Sequence, residues 1–228
     1  MTRDEILASR SALKRFSRDF NVPVATYDGA YFEAQLQTLA LHAPYYKTLF
    51  EEFVNELSEF ASIESYFEHY NSIKDNVITH ITNHPEYKVF INSEIKAPKV
   101  FPKETLYKPT NSGIDFISID LRKANFTILE RYCPNLFFGK TWEEFLKSFG
   151  ASDYLVKSKY VRQVIFGACG PSKGITAQTK LMTEIACKLQ LQGYEIYSIT
   201  TDEILIKVDP AEPINVNDII SYIANELD

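Results

Sequence analysis

Along most of the first ninety positions, apolar residues recur at intervals of three and four, the spacing that gathers them on one face of a helix. Residues 4–16 carry Ile6, Leu7, Leu13 and Phe16 and predict a weakly amphipathic helix, and residues 21–26, with Pro23, predict a turn. From Ala30 to about Phe60 the period continues through Pro44, where the ring breaks or kinks a helix. Residues 63–82 carry it on until His84 and Pro85 stop it. The many aromatic residues on these stripes read as core rather than as a ligand cage.

The pattern changes after residue 95. Residues 96–111 hold Pro98, Pro102 and Pro109 among Lys96, Lys99, Lys103 and Lys108 and predict irregular backbone. Three regions follow: a helical N-terminal region (1–95), a Pro/Lys-rich connector (96–112) and a second region (113–228). Within the last, residues 114–119 predict a buried strand ending at Asp120, followed by helices over 124–131, 142–149, 154–166 and 176–191. Strands over 194–200 and 204–208 meet through Thr201, Asp202 and Glu203 in a tight hairpin that Pro210 and Pro213 end, and 216–227 closes as a helix. Strand, helices, long helix and hairpin in that order imply an α+β fold, with helices followed by a small antiparallel sheet packed on helices, rather than a βαβ winding.

Composition adds bounds. At 228 residues, 45% hydrophobic and 24% charged, the chain is neither disordered nor fibrous. No apolar run approaches the roughly 18–20 residues of a membrane span, and Met1-Thr2-Arg3-Asp4-Glu5 is no signal peptide. The expectation is a non-secreted, non-membrane protein of a cytoplasmic or other reducing, nucleic-acid-containing compartment. Cys133, Cys169 and Cys187 are too widely spaced for a disulfide framework or zinc knuckle and are expected to be buried thiols. His80 and His84 share the i,i+4 spacing of a helical metal edge, but the glutamate of HExxH is missing and Pro85 turns His84 away from helical geometry.

Net charge is −6, which argues against a nucleic-acid partner until it is divided along the chain. Residues 1–95 carry 8 basic and 14 acidic side chains, residues 96–180 carry 14 and 7, and residues 181–228 carry 2 and 9. A basic middle between acidic flanks points to an anionic partner, phosphate or nucleic acid.

Two acidic residues each stand at the end of a buried strand. If the first strand pairs beside the hairpin, Asp120 and Asp202 emerge at one edge of the sheet, where two carboxylates can hold divalent cations for phosphoryl transfer. Singly, each has a plain structural explanation: Asp120 caps the next helix and Asp202 forms a turn. Between them Lys157, Lys159, Arg162 and Phe166 fall on one helix, a face able to present cations and then an aromatic ring, followed by Gly167.

These segments resemble, in order, motifs A, B and C of the palm of family A and family B DNA polymerases. Residues 118–126 (SIDLRKANF) look like motif A, with Asp120 as its metal-binding aspartate. Residues 159–167 (KYVRQVIFG) are similar to the family B pattern Kx3NSxYG, with Gln163 and Phe166 substituted, and 162–167 to the family A pattern Kx3FG, with Arg162 for lysine. Residues 196–206 look like motif C, where Thr201-Asp202-Glu203 stands for HDE and Thr200 replaces the first family B aspartate. The position that gates the sugar falls near Asn125.

The resemblance covers about 114–208 and implies a palm-like sheet with reduced fingers and no usual thumb. It also implies a minimal DNA polymerase-like nucleotidyltransferase, or one subunit of a divided polymerase. In that reading Asp120 and Asp202 hold Mg2+ or Mn2+ and Glu203 assists. Lys159, Arg162, Gln163, Phe166, Gly167 and Asn125 meet the nucleoside triphosphate and primer–template, and a further protein subunit supplies the missing thumb. Two alternatives stay open: a catalytically inactive palm-derived subunit of a replication or transcription complex, and an unrelated α+β protein with coincidental motifs.

Overall fold

A computed structural model describes residues 1–209 and 214–227. The expected stop at 210–213 lies outside the described residues. In chain order the first elements are helices α1 (Arg3–Ala8), α2 (Arg10–Phe20), α3 (Gly29–Ala40), α4 (Tyr45–Ser58), α5 (Ile63–Asn83) and α6 (Pro85–Asn92). Strand β1 (Phe116–Asp120) and helices α7 (Ala124–Tyr132), α8 (Trp142–Lys147), α9 (Asp153–Lys157), α10 (Lys159–Ala168) and α11 (Pro171–Leu191) come next. Strands β2 (Glu195–Ile199) and β3 (Glu203–Lys207) and helix α12 (Val216–Leu227) complete the chain, which is α+β as expected. Among the described residues no helix is long and apolar enough to cross a membrane.

Contacts divide the chain into two units, residues 1–88 with 135–169, and residues 89–134 with 170–228. This differs from the three consecutive regions expected: the second half is interleaved with the first, and the connector lies inside the second unit.

The first unit is helical and built on rings. Phe16 meets Phe50 at 5.0 Å and Phe53 meets Tyr154 at 5.2 Å, while Phe32 and Tyr66 are equally buried beside them. Burying a ring of this size contributes about 1.5–3 kcal/mol. At the centre lies a charged group, Asp19, with no exposure. Its carboxylate accepts from Arg15 Nε at 2.9 Å, Tyr154 OH at 2.8 Å and Ser158 Oγ at 2.7 Å.

The Arg15 guanidinium lies 3.8 Å from the centre of the Tyr70 ring. Burial pulls the Arg15 pKa down, but the Asp19 charge and hydrogen bond outweigh it and the net direction is up. Burial, then the Asp19 charge, pushes the Tyr154 hydroxyl well above its ordinary range. These bonds explain the interleaving, because α9 and α10 return to α2 to satisfy a buried carboxylate.

They also explain why one expected helix over 154–166 is two. Ser158 gives its proton to Asp19 and its oxygen to the Val161 N–H at 3.0 Å, capping α10 and ending α9. Ser9 likewise divides the helix expected over 4–16, its side chain accepting from Ala12 N–H.

In the second unit the sheet order is β1-β3-β2, all antiparallel. Ile117 and Ile119 face Ile206 and Ile204 across the ladder, and with Ile196 and Ile199 they form the face that meets α11. The opposite face carries Phe116, Ser118 and Asp120 beside Lys207, Leu205 and Glu203. Tyr197 is the extra residue of a bulge between Ile196 and Ser198, and its ring packs on Phe116 at 4.9 Å.

Residues 98–111 are irregular apart from one short 3-10 turn at Pro109–Asn111, as expected, but they are tied down. Ile199 N–H donates to the Pro102 carbonyl (3.1 Å), Glu104 N–H donates to Ser198 Oγ (2.8 Å), and Asn111 Nδ2 donates to Tyr197 OH (2.9 Å).

Asp19→Ala leaves Arg15 buried without its counter-charge and is expected to cost about 3–5 kcal/mol. Tyr154→Phe removes a single bond to a charged acceptor and is expected to cost about 1.5–3 kcal/mol. Urea unfolding followed by circular dichroism measures both, and equal costs would show that Asp19 is no hub.

Candidate functional site at the acidic end of the sheet

Antiparallel pairing brings Asp120 opposite Glu203, at the end of the sheet where β2 and β3 turn. Leu121 N–H donates to the Asp202 carbonyl at 2.9 Å, and Val208 N–H donates to the Asp115 carbonyl at the other end. Ladder bonds therefore fall on alternate pairs that leave out Asp120 and Glu203. A pair of that kind has Cα atoms about 4.5 Å apart, with side chains on the same face. Like charges so placed repel, at a cost of a few tenths of a kcal/mol to about 1 kcal/mol. Glu203 Oε1 accepts from Ser118 Oγ at 2.6 Å, the one hydrogen bond its carboxylate makes among the described residues.

The plain explanation fails for Asp120, whereas Asp202 does sit in the hairpin turn but does not bond to it. The N-cap of α7 is Lys123, in the left-handed region at φ 52, with no side-chain cap bond, so Asp120 caps nothing. Asp202 makes no side-chain bond to the turn it sits in: Thr200 N–H closes the hairpin on the Glu203 carbonyl at 2.9 Å. Asp120 is exposed, Asp202 half-exposed, and neither carboxylate has a hydrogen-bond or ion-pair partner among the described residues.

Asn125 stands in the first turn of α7 with its Oδ1 held by Gln178 Nε2 of α11 at 2.8 Å. Gly174 lies across from it, where a Cβ would sit 3.5 Å from that oxygen.

The remaining expected residues belong to the first unit. Lys159, Gln163 and Gly167 follow one another at i,i+4 along the exposed side of α10, with half-buried Arg162 flanking them. A Cβ at Gly167 would meet nothing within 4 Å. Phe166 departs from expectation: it is 3% exposed and packs on Trp142 at 5.2 Å, a core ring rather than one offered to a base. Its place at i+7 from Lys159 put it on a presumed cationic face, but the apolar seam with Val161 and Ile165 claims it.

His80 and His84 have ring centroids 6.2 Å apart, and His80 packs against Phe145 and Phe149. Among the described residues no group of three or more His, Cys, Asp or Glu side chains is arranged to hold a metal ion. Magnesium does not demand such a group, since it takes one or two protein carboxylates and completes its shell with water and phosphate.

Sequence reasoning passed over Ser118 as a residue in its own right. Its signal was its i,i+2 spacing to Asp120, which puts both on one face of a strand. No family model, curated protein or solved structure matches the chain.

The cysteines separate. Cys133 and Cys169 are buried as expected, and burial pushes the Cys169 thiol up to about 11, which disqualifies it as a nucleophile near neutrality. Cys187 corrects the expectation, since it lies on the exposed side of α11. Iodoacetamide at pH 8 is expected to modify Cys187 while Cys133 and Cys169 stay unmodified until the protein is denatured, as read by peptide mass spectrometry. Early modification of Cys169 would contradict its burial.

Proposed function

We propose that this chain is a compact palm-type nucleotidyltransferase, acting on a nucleoside triphosphate and a primer–template, with a second protein subunit supplying grip on the duplex. One observation carries the reading: Asp120 and Asp202 stand at the same end of the sheet without partners, and Glu203 lies directly opposite Asp120. A cation would relieve the modest repulsion within this acidic group, and its hard oxygen donors are those that Mg2+ or Mn2+ takes. Asp120 and Asp202 would hold the ions, and Ser118 would orient Glu203. The ions, when bound, neutralise charge at the transferring phosphoryl group.

The rest falls to side chains of the protein. A primer 3′-hydroxyl attacks the α-phosphorus, its proton passes to solvent, and pyrophosphate leaves. Asn125, in the same unit as the carboxylates, would offer a polar contact. The free thiol of exposed Cys187 suits a reducing compartment.

Burial of Phe166 favours a second reading, an inactive palm-derived subunit that binds nucleic acid or assembles with a replication complex, because it removes the expected stacking ring. Primer extension with Mg2+ and four deoxynucleotides separates the two. Wild type is expected to incorporate nucleotide, with Asp120→Ala and Asp202→Ala reducing the rate roughly a hundredfold or more. Equal incorporation by all three proteins would sink the catalytic assignment, and binding without incorporation by wild type would favour the second reading.

A further inference from the structure

Beside the Asp202 hairpin, within the second unit, lies a cavity of about 410 Å³ that none of the motifs anticipates. Lys99, Phe101 and Lys103 of the connector form one wall, and Thr200 and Thr201 of the hairpin form another. Its volume is in the range of small-ligand sites.

The Lys103 end of this wall is held in place. Lys103 sits between Pro102, whose carbonyl accepts from Ile199 N–H, and Glu104, whose N–H and carbonyl both bond the fully buried Ser198 hydroxyl at 2.8 and 3.0 Å. Other connector lysines are neutralised, Lys96 by Glu94 and Lys108 by Glu104. Lys99 and Lys103 have no acidic partner among the described residues.

Two lysines without acidic partners, lining one cleft with Thr200 and Thr201, make a donor-rich pocket that suits an anion with several acceptor oxygens. Phe101 and Ile199 add apolar surface of the kind a sugar or base covers.

We infer that this cleft is a phosphate-binding site, for a phosphate carried either by a mononucleotide or by a polynucleotide backbone. The inference goes beyond the nucleotidyl-transfer reading and does not depend on it, because the cations here need no metal and no turnover.

The test is binding in EDTA, which removes any contribution from metal held at the carboxylates. The probes are a fluorescent N-methylanthraniloyl deoxyadenosine triphosphate and a 5′-fluorescein 12-mer of deoxythymidine. Wild type is expected to bind one of them, and the probe that binds identifies the source of the phosphate. Lys99→Ala with Lys103→Ala is expected to weaken that binding about tenfold or more, and the corresponding double Lys→Glu variant further. For the 12-mer, loss of two phosphate contacts is expected to flatten the slope of log affinity against log salt by about 1.4.

Lys96→Ala, paired and outside the cleft, is expected to leave binding unchanged. Binding of neither probe by wild type, an unaffected double variant, or an equal loss in Lys96→Ala would each overturn the site. Asp120→Ala with Asp202→Ala is expected to keep EDTA-resistant binding. If primer extension fails while that binding persists, the catalytic reading falls and the phosphate site stands.

Discussion

The register of β1 on β3 is the constraint from which the second unit follows. With a side-chain period of two, a slip of one residue would carry Ile117, Ile119, Ile204 and Ile206 off the α11 face and turn Ser118, Asp120 and Glu203 into it. Ile204 and Ile206 are fully buried on that face, and the loss of that burial forbids the slip. The same register that buries them necessarily sets Asp120 against Glu203, so the acidic end of the sheet is a consequence of the apolar side as much as of the residues that form it. It also makes β3 the central strand, buried from Ile204 through Ile206, so its hairpin end is anchored on both edges.

The first unit is organised by the opposite kind of force. Asp19 is a charge that water cannot reach, and a group of that kind must be surrounded by donors or neutralised. Arg15 of α2, Tyr154 of α9 and Ser158 at the junction of α9 and α10 supply the donors, so one carboxylate dictates which helices meet. Ser158 transmits the constraint further, since the hydroxyl that satisfies Asp19 is the one that caps α10 and fixes where Lys159 and Arg162 begin.

These two arguments mark what could be read from the chain before its fold. Apolar spacing is local, so the strands at 116–120, 195–199 and 203–207 and the amphipathic helices were legible, as was the turn that carries Asp202. Ser158 ending a helix was not, because its reason, Asp19, lies 139 residues away. Pro85 and Pro171 read as stops or went unremarked, yet each is the first residue of a helix, where a missing N–H costs nothing. Phe166 shows the same limit in the site: its spacing from Lys159 was visible, whereas the neighbour that buries it, Trp142, was not. The connector misled in the other direction. Proline and lysine along a polar stretch look like a spacer, and only the buried Ser198 reveals a strap held to the edge of β2.

Lys103 and Glu203 line a common groove together with Thr200, and yet they do not pair. Glu203 is satisfied by Ser118, and Lys103 by nothing among the described residues. If the acidic end and the lysine strap served stability alone, an ion pair between them would be the simplest arrangement, worth up to about 1 kcal/mol at the surface. Held apart, they leave negative charge that repels itself at Asp120 and Glu203 and positive charge that lacks a counter-ion at Lys99 and Lys103. A cation alone relieves the first and an anion alone the second. On the reading proposed above, a phosphate ligand that arrives with a divalent cation would relieve both, which is how the proposed cleft and the proposed metal ligands on the two sides of this hairpin would fit together.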